Sequence, residues 1–326
     1  MTDWAGIDAP APARREAPTT GGGGPRLGRP DARPVYGPID AGGRLFQRHA
    51  RVLVLGSAVF IAPVVALNLL ATTLAFDRFD SFDDAVISLP ELTGGAAAAT
   101  GVESVLLLLG VYLSGLAVAL CGGLAADVVT RHRLGQPVTL PGAVRAALRR
   151  SPALAMAWLI GHSWMIVAAP VLVLASTEAS AWTAALLSPV LVVLVVLTLY
   201  ASPIVMVEGV GPLRAVARSF RLARRRFGVS AGIVTGAGLV GLWIRFGITW
   251  LPRLLEATGL IAFGRFGWLV EGVAGQLGLL LAVPVVASAT AWAYLEVRVS
   301  AEGLDLAMEA DAVFGRPDQP AGPTDG

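Results

Sequence analysis

The sequence has a single cysteine, no lysine and few charged residues of any kind. Cys121 is the one cysteine in 326 residues, which excludes an intrachain disulfide. Charged residues make up 15% of the chain, whereas soluble domains carry about 25%. Hydrophobic residues make up 55%, and the mean hydropathy is +0.68. This composition argues against an ordinary soluble domain and indicates a membrane protein.

Motifs that mark common catalytic and metal sites are also missing. The sequence contains no His-Glu-x-x-His and no Gly-x4-Gly-Lys-Ser/Thr, the patterns of zinc proteases and phosphate-binding loops. Its three histidines, His49, His132 and His162, are far apart in sequence, and no acidic pair accompanies them at ligand spacing. We therefore expect no enzyme activity, no metal site and no cofactor.

Six apolar runs are long enough to cross a bilayer, whose hydrocarbon core of about 30 Å needs about 20 helical residues. They cover approximately residues 52–76, 102–128, 152–176, 181–206, 229–251 and 267–295. The sequence therefore predicts an all-α integral membrane protein with about six transmembrane helices. Within the fifth run, Gly232-x-x-x-Gly236 permits close contact with another helix.

The two ends of the chain are expected to be disordered. Residues 1–40 and 309–326 are rich in proline and glycine, and they contain too little apolar area to offset the entropy lost on ordering. Residues 41–308 would form the transmembrane domain. Because the chain begins with a polar segment, we expect membrane insertion to start at the first internal apolar run.

Arginine placement predicts the orientation in the membrane. Eight arginines precede the first apolar run, five lie in the connection 129–151 and six in the connection 207–228. The alternate connections carry only Arg78, Arg253 and Arg265. Since basic residues near the ends of spans are retained in the cytoplasm, both termini are predicted to be cytoplasmic, in a multi-pass protein of the cell membrane.

The three arginine-rich segments resemble one another. Each places arginines four residues apart on a short stretch that leads into an apolar run, as in Arg44/Arg48, Arg145/Arg149 and Arg214/Arg218. The pattern predicts three units, each an amphipathic interfacial helix followed by a transmembrane hairpin.

The third of these segments predicts a helix with two faces. Its apolar face would contain Leu213, Val216, Phe220, Ala223 and Phe227, and its basic face Arg214, Arg218, Arg221 and Arg225. We expect such a helix to lie in the membrane interface with its arginines toward lipid phosphates. The candidate residues for binding anionic lipid or a partner are Arg145, Arg149, Arg214, Arg218, Arg221 and Arg225, with Glu208 orienting the third helix through a nearby arginine. Topology and anchoring would also explain these arginines, and the two interpretations are compatible.

Ionisable residues inside apolar runs are further candidates, because a charge at mid-bilayer costs at least about 2.5–3.5 kcal/mol. Asp127 could pair with Arg131 one turn later. His162 belongs to the deepest polar cluster, although a hydrogen-bonded packing role explains it equally. Arg245 can extend toward the outer surface, and an ion pair with Glu271 is possible. No chain of carboxylates crosses the membrane, as a cation-coupled pump would usually require.

Two stretches of sequence suggest a family. One runs from Pro203 through Glu208-Gly209 to Arg218-Ser219, and continues to Leu222 and Arg226-Phe227. A shorter element before it, Asp127 followed by Leu134-Gly135-Gln136-Pro137-Val138, also fits. The other closes the chain with Tyr294-Leu295-Glu296-Val297-Arg298 and Glu302-Gly303-Leu304-Asp305-Leu306. The sequence resembles bacterial six-span proteins related to the membrane domain of some glycerophosphoryl diester phosphodiesterases. Glu296 departs from the aspartate expected in the closing motif.

The resemblance implies a fold rather than an activity. In family members with phosphodiesterase activity, a separate soluble barrel carries the histidines and acidic metal ligands, and this chain has neither the room nor those residues. We therefore expect a non-enzymatic scaffold or accessory protein, with transport or export of a small amphipathic or lipid-like substrate as the alternative, in a cavity near His162 and Asp127. The expected partners are anionic membrane lipids and a membrane protein or second copy of this chain, without nucleic acid.

Overall fold

The computed structural model describes residues 35–76, 101–164, 189–264 and 267–302, and the regular elements of these residues are helices. We number them α1 to α9 in chain order. They are α1 (Tyr36–Phe76), α2 (Gly101–Arg133), α3 (Leu140–Arg149), α4 (Ser151–Gly161), α5 (189–198), α6 (Ala201–Glu208), α7 (Pro212–Arg225), α8 (Phe227–Ala257) and α9 (Gly267–Glu302). The prediction of an all-α membrane protein is confirmed.

In the described part of the chain, five helical segments are long and apolar enough to cross a membrane. They are Tyr36–Leu67, Tyr112–Arg133, Pro189–Glu208, Phe227–Ala257 and Val273–Ser300, and they correspond to all the predicted spans except the third. Helix α4 covers the beginning of that third span as a shorter apolar helix. The remainder of the third span lies outside the described residues, so the count of six stays a prediction.

Helix α9 is central to the bundle, because it packs against α8, α1 and α2. The core between these helices and α6 is closely filled by fully buried side chains, among them Leu53, Leu124, Ile204 and Tyr294. Burial of one such side chain contributes about 1.5–3 kcal/mol relative to exposure to water. In a membrane the corresponding gain comes from packing rather than from water release.

Glycines allow the closest helix contacts. A Cβ atom on Gly42 would lie 2.5 Å from the Cα of Ala289, so α1 and α9 approach each other backbone to backbone. In α8, the predicted Gly232-x-x-x-Gly236 contact is present, and Val35 and Ile39 lie over the two glycines. Their partner is therefore the start of α1 rather than the middle of another span.

The first described helix begins inside the segment that was expected to be disordered. Helix α1 starts at Tyr36, whereas the boundary of the disordered segment was predicted at residue 40. Pro38 is fully buried, and Ile39 contacts Gly236. The prediction rested on local composition, which does not register a tertiary contact with α8.

At three residues the backbone leaves the helical conformation between a short polar helix and an apolar one. His49 interrupts α1 with φ −119° and ψ 25°, Arg150 separates α3 from α4 with φ −98° and ψ 1°, and Arg226 separates α7 from α8 with φ −126° and ψ 42°. All three lie near the bridge region of backbone conformation, where helices commonly end.

Each break residue also contacts the carboxyl end of a later helix. His49 Nε2 lies 3.3 Å from His132 Nδ1 near the end of α2. Arg150 donates to the carbonyl of Gly209 after α6 at 3.2 Å, and Arg226 to that of Ser300 near the end of α9 at 3.5 Å. Cations suit the two arginine positions, because helix carboxyl ends leave carbonyl oxygens unpaired. The shared arrangement supports the proposal of three repeated units.

Substitution of Gly42 should destabilise the fold, whereas the same change next to it should not. We expect Gly42→Ala to lower the free energy of unfolding by about 1–3 kcal/mol, because the new methyl group would overlap the backbone of α9. Gly43→Ala is the control, since a Cβ atom there meets nothing within 4 Å. Thermal unfolding of the full chain in detergent, followed by tryptophan fluorescence, measures both. Equal melting temperatures would contradict the close approach of α1 and α9.

Candidate functional site: a buried polar network where α6, α7 and α9 meet

The fourth predicted span is broken in its middle. Its helix stops after residue 198 and resumes as α6 at Ala201. Pro203 explains the break, because proline has no amide hydrogen and its ring clashes with the carbonyl four residues earlier, that of Leu199. Ser219 of α7 satisfies the groups released there. Its buried hydroxyl donates to the carbonyl of Leu197 at 2.8 Å and accepts from the amide of Tyr200 at 3.1 Å.

A tight turn places α7 against α6. Helix α6 ends at Glu208, and Gly209 follows with φ 65°, a left-handed conformation that glycine adopts without steric cost. Gly211 then precedes Pro212 at the start of α7, where proline is favoured because no amide hydrogen is needed. The turn brings Arg218 to Glu208 and Ser219 to the broken span.

Glu208 is the centre of a cluster that joins three helices. The Nε atom of Arg218 donates to Glu208 at 2.6 Å, and the hydroxyl of Tyr294 on α9 donates to Glu208 Oε1 at 2.5 Å. The side chain of Glu208 is only 10% exposed. Two hydrogen bonds from different helices therefore hold a largely buried carboxylate.

Two more residues of α9 complete the cluster. Arg218 Nη2 lies 2.8 and 2.9 Å from the two carboxylate oxygens of Glu302, and Arg298 Nε lies 3.0 Å from Glu302 and 3.8 Å from Glu208. We call Glu208, Arg218, Tyr294, Arg298 and Glu302 the Glu208 network. Its two arginines balance its two glutamates, which is the condition under which buried charges are tolerated.

The network holds Arg218 in its charged form. Burial alone would disfavour the guanidinium charge, but the hydrogen bond to Glu208 and the negative charges of Glu208 and Glu302 outweigh it and raise the pKa of Arg218. The contacts of Arg218 and Arg298 with Glu208 and Glu302 all join groups of the same chain. The arrangement is therefore suited to fixing the relative positions of α6, α7 and α9.

The structure separates the predicted arginine candidates into two groups. Arg145 and Arg149 on α3 and Arg214, Arg221 and Arg225 on α7 are exposed, as a binding face requires. Arg218 instead lies in the Glu208 network, and Glu208 meets it as expected. Arg218 is less exposed than the other three arginines of α7, because its guanidinium group contacts the carboxylates of Glu208 and Glu302.

The predicted apolar face of α7 is only partly correct. Val216 and Ala223 are buried, but Leu213 is 68% and Phe227 40% exposed. Ser219 and Leu222 are buried with Val216 and Ala223, because α7 packs against α4 and α6 of the same chain. The face that the sequence assigned to lipid is thus covered to a large extent by protein.

The two intramembrane candidates lie in different cavities. Asp127 accepts a hydrogen bond from Arg131 Nε at 2.7 Å, as predicted, and lines a cavity of about 180 Å³ between α2 and α6. His162 follows α4, stacks on Trp158 with 5.2 Å between ring centres, and lines a larger cavity of about 470 Å³. One cavity near both residues was expected, whereas these two cavities each contain only one of them. The side chain of Glu271, the suggested partner of Arg245, lies outside the described part of the chain.

Several contacts near the carboxyl ends of α2 and α9 were not predicted. Arg133 lies over the ring of Trp292 at 3.9 Å, and Trp292 donates to Glu296 at 2.7 Å. The four-residue spacing of Trp292 and Glu296 was a usable signal. The contact between His49 and His132 had no such signal in the sequence, since 83 residues separate the two. Among the described residues, no group of three or more histidine, cysteine or acidic side chains could hold a metal ion.

Comparisons with protein-family models, curated proteins and solved structures find no match to this chain. The resemblance to membrane domains associated with phosphodiesterases therefore stays a prediction. The residues that carry it are nonetheless together in space: Pro203 breaks a span, Ser219 bridges the break, and Glu208, Arg218, Tyr294 and Arg298 belong to the Glu208 network.

Removal of the Glu208 carboxylate should lower the stability of the protein. We expect Glu208→Gln to lower the free energy of unfolding by about 3 kcal/mol, because it leaves two largely buried arginines with one carboxylate. The control is Asp40→Asn, which removes the exposed ion pair with Arg44 and should have little effect. Denaturant unfolding in detergent compares the two variants. Similar midpoints for both would show that the Glu208 network does not stabilise the fold.

Proposed function

We propose that this chain is a non-enzymatic multi-pass protein of the cell membrane, with six spans and both termini in the cytoplasm. Five apolar helical segments support the membrane location. The concentration of arginines in the N-terminal segment and in the connections that contain α3 and α7 supports the orientation.

In this proposal the protein is a scaffold or accessory subunit that engages anionic lipid, or a partner, at its arginine-rich face. The observation that carries it is the exposure of Arg145, Arg149, Arg214, Arg221 and Arg225 on two helices that pack against the bundle. Ser219 and Arg218 fasten α7 to α6, so its exposed arginines project from a fixed helix. Each arginine near an anionic surface contributes about 1 kcal/mol of binding.

Neutralising the exposed arginines of α7 should weaken attraction to anionic membranes. The test uses the full chain in phosphatidylcholine nanodiscs and measures co-sedimentation with vesicles containing phosphatidylglycerol. We expect Arg214→Gln/Arg221→Gln/Arg225→Gln to lower the apparent affinity about tenfold or more, and added salt to weaken binding of the unmodified protein.

The matched control removes the same charge from α1, as Arg44→Gln/Arg48→Gln/Arg51→Gln. All three of these arginines are exposed. If both triple variants lose affinity equally, attraction depends on net charge and the specific role of α7 is refuted. A protein that co-purifies stoichiometrically and is lost only with the α7 variant would identify a partner as the binding target.

A second candidate function is transport or export of a small amphipathic or lipid-like substrate. The cavity of about 470 Å³ beside His162 supports it, since ligand cavities have volumes of about 300–1,000 Å³. A layer of two buried rings, Tyr200 and Tyr294, adjoins the Glu208 network, with 6.1 Å between the ring centres and Tyr200 hydrogen-bonded to Ser230 at 3.0 Å. Transport would require this layer to open.

Transport can be measured in liposomes that contain the purified protein and a lipid with a fluorescent headgroup label. Membrane-impermeant dithionite quenches the label in the outer leaflet, so continued quenching reports movement between leaflets. We expect faster quenching than in protein-free liposomes if the layer opens. Equal rates with the folded protein would count against transport.

A further inference from the structure

The larger cavity is apolar along most of its length. It lies between α2, α4, the α5–α6 segment, α8 and α9, and aliphatic side chains and glycines make up most of its wall. The members from α8 are Ile233, Val234, Ala237, Gly238, Gly241, Leu242 and Arg245. Such a lining excludes a small polar solute as the main ligand, because most of that solute's hydrogen bonds would have no partner there.

The dimensions of the cavity suit a hydrocarbon chain within one membrane leaflet. From Ile233 to Arg245 the lining extends about 18 Å along α8, at about 1.5 Å per residue. Half of the hydrocarbon core is about 15 Å thick. Gly238 lines the cavity and is itself exposed, so the space opens sideways to the outer surface of the helices. A lipid could therefore enter from the surrounding bilayer.

The one arginine among the residues that line the cavity is Arg245. Arg245 forms part of the wall at the end away from the Glu208 network. Two turns further along α8, Trp250 lies beside Arg253, with 5.5 Å between the guanidinium carbon and the ring centre, and Trp250 is half exposed. Tryptophan with arginine is typical of the membrane–water interface. Arg245 is therefore close enough to that interface for its long side chain to reach a headgroup.

We propose that this cavity binds an anionic glycerophospholipid, with one acyl chain along α8 and its phosphate at Arg245. Guanidinium groups match phosphate oxygens in charge and in bidentate geometry. Ser202, Thr290 and His162 line the opposite end. The inference names a ligand class for the cavity on which the transport proposal rests. Binding does not require transport, and it does not involve the arginines of α3 and α7.

A larger side chain in the wall of the cavity should weaken lipid binding. The full chain in detergent is titrated with dioleoylphosphatidylglycerol, and bound lipid is counted by native mass spectrometry. We expect Gly238→Leu to weaken binding at least about tenfold, because displacement of two buried methylene groups already has that effect. Gly238 is part of the cavity wall, and a Cβ atom there meets nothing within 4 Å, so a leucine at this position causes no backbone clash.

Gly247→Leu is the matched control. Gly247 is on the same helix, a Cβ atom there also meets nothing within 4 Å, and the residue is exposed rather than part of the cavity wall. This variant should bind lipid as the unmodified protein does. Comparable melting temperatures of the two leucine variants show that the difference reflects the cavity and not the fold.

The role of Arg245 is tested by headgroup preference. We expect Arg245→Gln to reduce the preference for dioleoylphosphatidylglycerol over dioleoylphosphatidylcholine about tenfold, because one charge-assisted interaction is lost. An unchanged preference would overturn the headgroup assignment. Equal binding by the Gly238→Leu and Gly247→Leu variants, or no retained lipid on the unmodified protein, would overturn the site itself.

These outcomes are separate from those of the functions proposed above. Loss of vesicle attraction in the α7 arginine variant, with lipid retained in the cavity, would support both proposals. Retained lipid without movement between leaflets would refute transport and leave the lipid site standing.

Discussion

The contact between Glu208 and Arg218 is the interaction on which the arrangement of the helices at this end of the bundle depends. It closes the turn between α6 and α7, and thereby places Ser219 at the break in the fourth predicted span. Tyr294 and Arg298 extend the same contact to α9, the helix that packs against α8, α1 and α2. Buried charges cost desolvation energy, and apolar residues of similar size would often stabilise a fold equally well. Their advantage here is geometric, because hydrogen bonds with fixed partners determine one register where apolar surfaces alone would allow several.

Much of the fold could be predicted, because its main elements are marked by local sequence patterns. Long apolar runs identify spans, and the four-residue spacing of Asp127 and Arg131 identifies their ion pair. The Glu208 network has no local pattern, since Glu208 and Tyr294 are 86 residues apart. Helix α7 shows a second limit. Its amphipathic pattern indicates that one face avoids water, but protein and lipid satisfy that condition equally, and in this fold α4 and α6 cover much of the face.

His49, Arg150 and Arg226 occupy equivalent positions, each between a polar helix and an apolar one, but their side chains make different contacts. A polar helix that turns into an apolar one leaves the chain in a non-helical conformation, next to a neighbouring helix end whose carbonyl groups lack partners. Arg150 and Arg226 supply hydrogen-bond donors to such carbonyl groups, those of Gly209 and Ser300 respectively. His49 occupies the corresponding position and contacts His132 instead. The arginine-rich segments, which sequence analysis related to membrane orientation, therefore also hold hairpins together.

The two proposed binding surfaces are formed by different residues. Exposed arginines of α3 and α7 form one surface, and the apolar cavity with Arg245 in its wall forms the other. The rings of Tyr200 and Tyr294 are fully buried and adjoin the Glu208 network. Because Tyr294 donates to Glu208, any opening of this layer must also disturb the network that fixes α7. We therefore expect a ligand that displaces the Tyr294 ring to loosen α7 as well, whereas a ligand that leaves this ring in place should not affect α7 through the network.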